Sequence, residues 1–115
     1  MKIINLSKNT VLAENAVVAK SLLSRLKGLL GRGVLTKGEG LIIPDCGSIH
    51  TFFMGFSIDV IFLDNHRRVT KIKKSVGPFR LIDCPFTGQI TIELPIGMID
   101  ASTTDIGDKI DIQIA

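Results

Sequence analysis

The chain of 115 residues contains no tryptophan and no tyrosine, and helix-forming residues are scarce, with only three Glu and five Ala. Branched residues are abundant, with 17 Ile, 7 Val and 8 Thr, and such side chains favour strands over helices. Intrinsic disorder is excluded, because 45% of the residues are hydrophobic and only 22% are charged. The composition predicts a β-rich protein, and the length predicts a single domain over residues 1–115.

Long apolar segments are also absent. The longest stretch without a charged residue runs from Cys46 to Ile58 and has 13 residues, whereas a membrane-spanning helix needs about 20. The first ten residues, MKIINLSKNT, lack the apolar segment of a signal peptide. We therefore expect a cytoplasmic location and no membrane partner.

Cysteine is limited to Cys46 and Cys84, which we expect to be free thiols in a reducing cytoplasm. No CxxC pair is present, and a four-ligand zinc site of Cys and His would need all four such residues of the chain, so we predict no metal and no cofactor. A net charge of +3 without Trp or Tyr argues against a nucleic-acid partner. We expect a monomer or a weak homodimer.

One helix is indicated near residues 21–31. Its apolar positions recur with the spacing of a single helix face, and glycines follow it. The apolar positions are Leu22, Leu23, Leu26, Leu29 and Leu30.

The remaining chain has the pattern of strands separated by turns. Expected strands cover residues 2–6, 10–19, 40–43, 48–54, 58–63, 68–76, 89–94 and 109–114, with a long loop at 77–88 and a loop or helical turn at 96–104. The segment 58–63 is apolar on both faces, which predicts a central strand. We predict a mainly β fold, an antiparallel sandwich or barrel (jelly-roll-like) of about seven to nine strands with the one helix.

Alternation along the later strands predicts which side chains face the core. In residues 89–94 the apolar positions fall on one face, so we expect Glu93 to face solvent on the other. In the last strand we expect Ile110, Ile112 and Ile114 to point inward. The basic residues between 67 and 74 indicate a charged edge strand that blocks pairing with other chains.

Polar residues concentrate between two apolar strands, in the segment that contains Cys46, Ser48, His50 and Thr51. His50 has two open interpretations: a base or ligand-binding donor near neutral pH, or a histidine hydrogen-bonded within the core. Direct pairing of Cys46 with His50 is disfavoured, because four extended residues span about 13 Å.

Two aspartates adjoin this segment. Asp59 interrupts an apolar strand, and a buried carboxylate needs hydrogen-bond donors, so Asp59 either ties elements together or forms the floor of a pocket. Asp64 follows the same strand at a turn, where an aspartate usually accepts hydrogen bonds from its own backbone.

The order of these motifs resembles the domain-of-unknown-function 192 family. The matching segments are Arg25-x-x-Gly28-Leu29-Leu30-Gly31-Arg32, Gly40 to Pro44, Ser48 to Met54, Ile58 to Asp64, Glu93-Leu94-Pro95-x-Gly97 and Gly107-Asp108. The resemblance implies a mainly β sandwich or barrel with a helix after the first hairpin. It implies no established activity, and it marks His50, Met54, Asp59 and Asp64 as signature positions.

Three interpretations of function stay open. The favoured one is a binding module for a small ligand or a protein partner. Its candidate binding residues are Cys46, Ser48, His50, Thr51, Met54, Asp59 and Asp64. The alternatives are a small hydrolase-like enzyme in which His50 and Asp59 transfer protons, and a purely structural interaction module.

Overall fold

The computed structural model describes residues 1–18, 35–44, 56–77 and 89–114 in full, together with the backbone of residues 48–50 and 81–83. The strands are β1 (Lys2–Asn5), β2 (Thr10–Ala13), β3 (Asn15–Val18), β4 (Glu39–Ile43), β5 (Ser48–His50), β6 (Ile58–Leu63), β7 (Val69–Val76), β8 (Leu81–Asp83), β9 (Ile90–Pro95) and β10 (Ile110–Gln113). A short helix, α1, spans Met98–Ala101. The fold is mainly β, as predicted. The helix expected near residues 21–31 lies outside the described residues.

The strands form a three-stranded sheet of order β10-β1-β2, a five-stranded sheet of order β3-β4-β9-β6-β7, and a two-stranded ribbon of β5 and β8. Most neighbours are antiparallel, but β3 and β4 run parallel. Parallel neighbours need a long connection, and residues 19–38 separate β3 from β4 in the sequence. The single strand expected over residues 10–19 divides at Glu14 into β2 and β3, which belong to different sheets.

Two seams join the large sheets into a barrel-like closure. At one seam, the backbone N–H of Ala16 donates to Met1 O at 2.8 Å, and the amino group of Met1 donates to Ala16 O at 3.1 Å. At the other, Arg68 forms an antiparallel bridge with Lys109, and Ile110 N–H donates to Arg67 O at 2.9 Å. The sheets therefore enclose a shared apolar core.

The five-stranded sheet carries apolar side chains on both faces. All six residues of β6 are buried, which confirms the predicted central strand. Ile61 and Leu63 join the inner cluster between the sheets, whereas Val60 and Phe62 join a second cluster on the outer face. The inner cluster also contains Ile3, Leu12, Ala13, Ala16, Ile42, Val69, Ile92, Leu94, Ile99 and Ile110.

Three predictions about local structure were wrong. Glu93 is fully buried, because β9 lies between β4 and β6 and shares their covered outer face. The expected loop at 77–88 contains β8, which pairs with β5. Ile114 is 87% exposed, because the pairing of β1 with β10 ends at Lys2 and Gln113 and leaves Ile114 beyond the sheet.

The basic segment fits its predicted place, because β7 is the last strand of the five-stranded sheet. Lys73 and Lys74 are exposed, and Lys74 forms an ion pair of 2.6 Å with Asp100 of α1. In the described ranges, no helix has the length and hydropathy needed to cross a bilayer.

Gly40 marks a point where elements approach closely. A Cβ atom at Gly40 would lie 3.1 Å from Ala13 Cβ and 3.3 Å from Leu94 Cδ2. We expect Gly40→Ala to lower the free energy of unfolding by about 1–3 kcal/mol through overpacking. Chemical denaturation measures this. Gly77→Ala is the control, since among the described residues the nearest atom there is Ser57 Oγ at 3.9 Å. Equal unfolding midpoints for the two variants would contradict the prediction.

Candidate functional site

Asp59 is a buried carboxylate that holds three elements together. Only 1% of the residue is exposed. Its Oδ1 accepts the backbone N–H of Ser75 in β7 at 2.9 Å, and its Oδ2 accepts the backbone N–H of Ile99 in α1 at 3.0 Å. The interpretation of Asp59 as a buried tie is thus confirmed, and its donors are backbone groups.

Local backbone geometry explains why these two N–H groups need Asp59. The pairing of β6 with β7 shifts register between Ile58 and Val60, and Ser75 has a left-handed φ of 53°. Such an irregularity removes an N–H from the regular ladder. Ile99 lies in the first turn of α1, where N–H groups lack helical acceptors, and Gly97 supplies no side-chain cap. Asp59 satisfies both orphaned donors.

Asp64 caps its own turn. Its Oδ1 accepts the backbone N–H groups of Arg68 at 3.0 Å and His66 at 2.9 Å. The hydrogen bond from Arg68, aided by that from His66, holds the pKa of the Asp64 carboxyl below its ordinary value. Its carboxylate therefore stabilises the turn between β6 and β7, as the sequence indicated.

The other candidates belong to the segment around β5. Ser48 and His50 lie in β5, opposite Asp83 and Leu81 of β8 respectively. Cys46, Thr51 and Met54 lie outside the described residues, as does Cys84. The juxtaposition of His50 with Asp59 therefore stays a prediction.

A buried column of polar side chains, missed by the sequence analysis, runs along the outer face of β9. Gln89 is 2% exposed, and Thr91 and Glu93 are 0% exposed. In register beside Glu93 lie Leu41 of β4 and Val60 of β6, both in the outer apolar cluster. Glu93 is thus a carboxylate set in the middle of an apolar face.

A signal for this column was present in the sequence. Alternation correctly places Ile90, Ile92 and Leu94 on one face and Glu93 on the other. Since 58–63 is apolar on both faces, a sheet that contains it must be covered on both sides. The polar face of a neighbouring central strand is then buried too. The adjacency of β6 and β9, which the sequence pattern does not show, was the missing fact.

A second polar cluster secures the end of the barrel. Asn5 is buried and donates from Nδ2 to Thr104 Oγ1 at 3.0 Å and to Asp108 Oδ2 at 2.9 Å. Lys8 Nζ donates to Asp108 Oδ2 at 2.8 Å and to Asp105 Oδ2 at 3.1 Å. Because these groups bond one another, the cluster fixes the 102–108 segment to the first hairpin.

An open cavity of about 310 Å³ lies where β2 turns into β3. We name it the corner cavity. It is lined by Val11, Leu12, Ala13, Glu14, Lys37, Gly38 and Met98. Its accessible apolar lining comes from Val11 and Met98, since Leu12 and Ala13 are fully buried, whereas Glu14 and Lys37 are exposed charged residues. This arrangement can hold a small molecule with an apolar part and a polar part.

A metal centre finds no support in the part of the chain that the structure describes. There, no three His, Cys, Asp or Glu side chains lie close enough together to hold a metal ion.

The Asp59 tie predicts a stability effect. Asp59→Asn places an amide N–H against one of the two backbone N–H donors, so we expect the free energy of unfolding to fall by about 1–3 kcal/mol. Urea denaturation measures it. Asp100→Asn is the control, because that side chain is 72% exposed and forms only the surface pair with Lys74. An unchanged urea midpoint for Asp59→Asn would contradict the stabilising role of Asp59.

The Asp108 cluster predicts acid sensitivity. Burial alone raises the pKa of the Asp108 carboxyl, but hydrogen bonds from Asn5, Lys8 and the backbone of Asp105 outweigh it, and the pKa lies below its ordinary value. A depressed folded-state pKa gives stability above the unfolded-state pKa of about 4, and this is lost as the pH falls through the folded value. We expect urea midpoints to fall below about pH 4, and to fall less for Asp108→Asn. Parallel pH curves for both proteins would contradict this.

Comparison with known proteins gives consistent relationships. The model of the DUF192 family, described as "Uncharacterized ACR", matches residues 3–112. A UPF0127 protein of Thermococcus sibiricus is 34% identical over 116 residues, which cover 97% of this chain and 75% of the relative. A UPF0127 protein of Pyrococcus horikoshii is 35% identical over 111 residues, covering 94% and 96% of the two chains.

A crystal structure of a protein of unknown function from Novosphingobium aromaticivorans has a similar fold. Its TM-score is 0.78 at 22% sequence identity, and the match covers 96% of this chain and 82% of that one. Family model, relatives and fold agree with the motif order found in the sequence. The chain belongs to the DUF192 family.

Proposed function

We propose that the protein is a binding module that takes a small ligand in the corner cavity. The observation that carries the proposal is a preformed cavity of about 310 Å³ with an apolar lining and charged side chains at its mouth. Ligand pockets are typically concave, mostly apolar and about 300–1,000 Å³ in volume, with a few polar groups that orient the ligand. The corner cavity lies at the lower end of that range, which favours a small molecule.

The apolar lining of the cavity supplies the affinity. Met98 is half-buried and lines the cavity, whereas Leu12 and Ala13, at 0% and 1% exposed, lie beneath the accessible surface. Apolar ligand surface that leaves water against such a lining contributes about 25 cal/mol per Å². Val11, at 37% exposed, extends this apolar surface to the mouth.

The wall formed by the chain corner is fixed by backbone hydrogen bonds. Gly38 O accepts the N–H groups of both Glu14 and Asn15 at 2.9 Å. Gly38 itself has a φ of 89°, a conformation that side chains disfavour. A rigid wall lowers the entropy lost on binding, because the site does not have to be ordered by the ligand.

The wall formed by α1 depends on Asp59. Met98 lines the cavity, and the next residue, Ile99, donates its N–H to Asp59 Oδ2. At its other end, Ser102 O accepts the Thr10 hydroxyl at 2.7 Å. Asp59 is therefore a positioning residue for the cavity. Asp64 caps a turn, and contacts from Cys46, Ser48, His50, Thr51 and Met54 to a ligand stay predictions.

The alternatives expected from the sequence gain less support. A proton-transfer pair needs an available carboxylate, whereas both oxygens of Asp59 accept backbone N–H groups. A cytoplasmic location, a monomer or weak homodimer, and the absence of a nucleic-acid partner remain part of this proposal as expectations from composition.

A fragment screen by two-dimensional NMR of the ¹⁵N-labelled protein tests the proposed function. We expect small apolar and amphiphilic fragments to shift the amide signals of Leu12, Gly38 and Met98. Val11→Phe reduces the volume of the cavity and should abolish these shifts. The matched control is Val17→Phe, at an exposed valine that does not line the cavity, and it should keep them.

Two results would overturn the proposed function. One is a screen in which no fragment shifts the cavity amides. The other is a set of shifts that survives Val11→Phe unchanged, since the fragments would then bind elsewhere.

A further inference from the structure

We infer that the corner cavity recognises an apolar α-amino acid in its zwitterionic form, an inference that rests on the proposed function. The ligand's side chain contacts the apolar lining formed by Met98 and Val11. Its ammonium group faces Glu14, and its carboxylate faces Lys37. This assignment follows from the placement of two opposite charges around one apolar recess.

Backbone geometry holds the two charged residues beside the same opening. Glu14 directly follows β2, and its N–H donates to Gly38 O at 2.9 Å. Lys37 is the residue before Gly38, so the hydrogen bond brings the chain segments that carry both charges into contact. Both residues line the cavity.

The two charges are available to a ligand. Glu14 and Lys37 are exposed, and among the described residues neither side chain forms an ion pair. Lys74 differs from Lys37 in this respect, because Lys74 is exposed but already forms an ion pair with Asp100. A ligand that carries one charge of each sign can satisfy Glu14 and Lys37 together.

The physical chemistry of the apolar lining limits the ligand's side chain. A charged side chain would lose its hydration against Met98 and Val11 without a partner there, which is costly. The Met98 side chain is flexible and polarizable, so the lining can adapt to aliphatic, thioether and aromatic groups. Leucine, methionine and phenylalanine therefore fit the class, whereas glutamate and lysine do not.

The charged groups at the mouth give selectivity rather than high affinity. Ion pairs near the surface are screened by water, so each contact is expected to change the dissociation constant by only about two- to five-fold. The dissociation constant of a free amino acid should be in the millimolar range. The test therefore compares the dissociation constants of related compounds rather than the affinity of one.

Titration with three compounds tests the inference, with the cavity amide signals as the readout. The compounds are L-leucine, L-leucinamide, which lacks the carboxylate, and N-acetyl-L-leucine, which lacks the ammonium group. We expect the unmodified protein to bind L-leucine more tightly than either analogue, by about two- to five-fold.

Two variants then assign the charges. Lys37→Gln should remove the preference for L-leucine over L-leucinamide while keeping its preference over N-acetyl-L-leucine. Glu14→Gln should keep the preference for L-leucine over L-leucinamide and remove the preference over N-acetyl-L-leucine. This crossed pattern isolates each charge contact, because each variant removes one partner of one pair. Asp111→Asn, at a strand residue that does not line the cavity, should leave both preferences unchanged.

The outcomes separate this inference from the proposed function. If uncharged apolar fragments bind the cavity and are lost in Val11→Phe, but L-leucine shows no preference over its analogues, the amino-acid assignment is wrong and the binding module survives. If neither fragments nor L-leucine shift the cavity amides, both fail. Preferences that persist in Lys37→Gln and Glu14→Gln would also overturn the assignment.

Discussion

The structure depends on one carboxylate placed where the core would otherwise be apolar. Asp59 points inward from a central strand, and its two oxygens accept N–H groups from β7 and α1. A buried charge is tolerated only when hydrogen bonds replace its lost hydration, and here the backbone supplies them. The same bonds satisfy the backbone N–H groups at the irregular end of the β6–β7 hairpin and at the uncapped start of α1. The position of Met98 depends on these bonds as well, because α1 places Met98 at the corner cavity.

The five-stranded sheet imposes a second constraint, because its central strands β4, β9 and β6 are buried on both faces. Polar residues on its central strands must then lie inside the protein, as Glu93 and Thr91 do. The residues of these central strands are consequently constrained in two ways, by packing in the core between the sheets and by packing on the outer face. Gly40 shows how little room the inner face leaves, since its missing side chain admits Ala13 and Leu94.

Local patterns in the sequence predicted the features that depend on neighbouring residues. The first hairpin, the central strand β6, its hairpin with β7 and the turn at Asp64 all follow from short-range alternation and turn residues. Burial of Asp59 followed from its place in an apolar strand. What Asp59 binds did not, because Ile99 is 40 positions away.

The remaining errors and omissions have a shared physical origin in long-range pairing. The position of Glu93 depends on which strands flank β9, and the parallel pairing of β3 with β4 depends on a crossover. The corner cavity is assembled from residues 11–14, 37–38 and 98. None of these segments carries a local signal of the others, so the cavity is visible only after folding.

The pairing of β1 with β10 affects how the protein is made. β1 occupies the middle of its sheet, and one of its two partners, β10, lies more than 100 residues later in the chain. Until β10 has emerged from the ribosome, the inward-facing Ile3 lacks Ile110, with which it shares the core. The nascent chain therefore carries an uncovered strand edge until Gln113 has emerged from the ribosome.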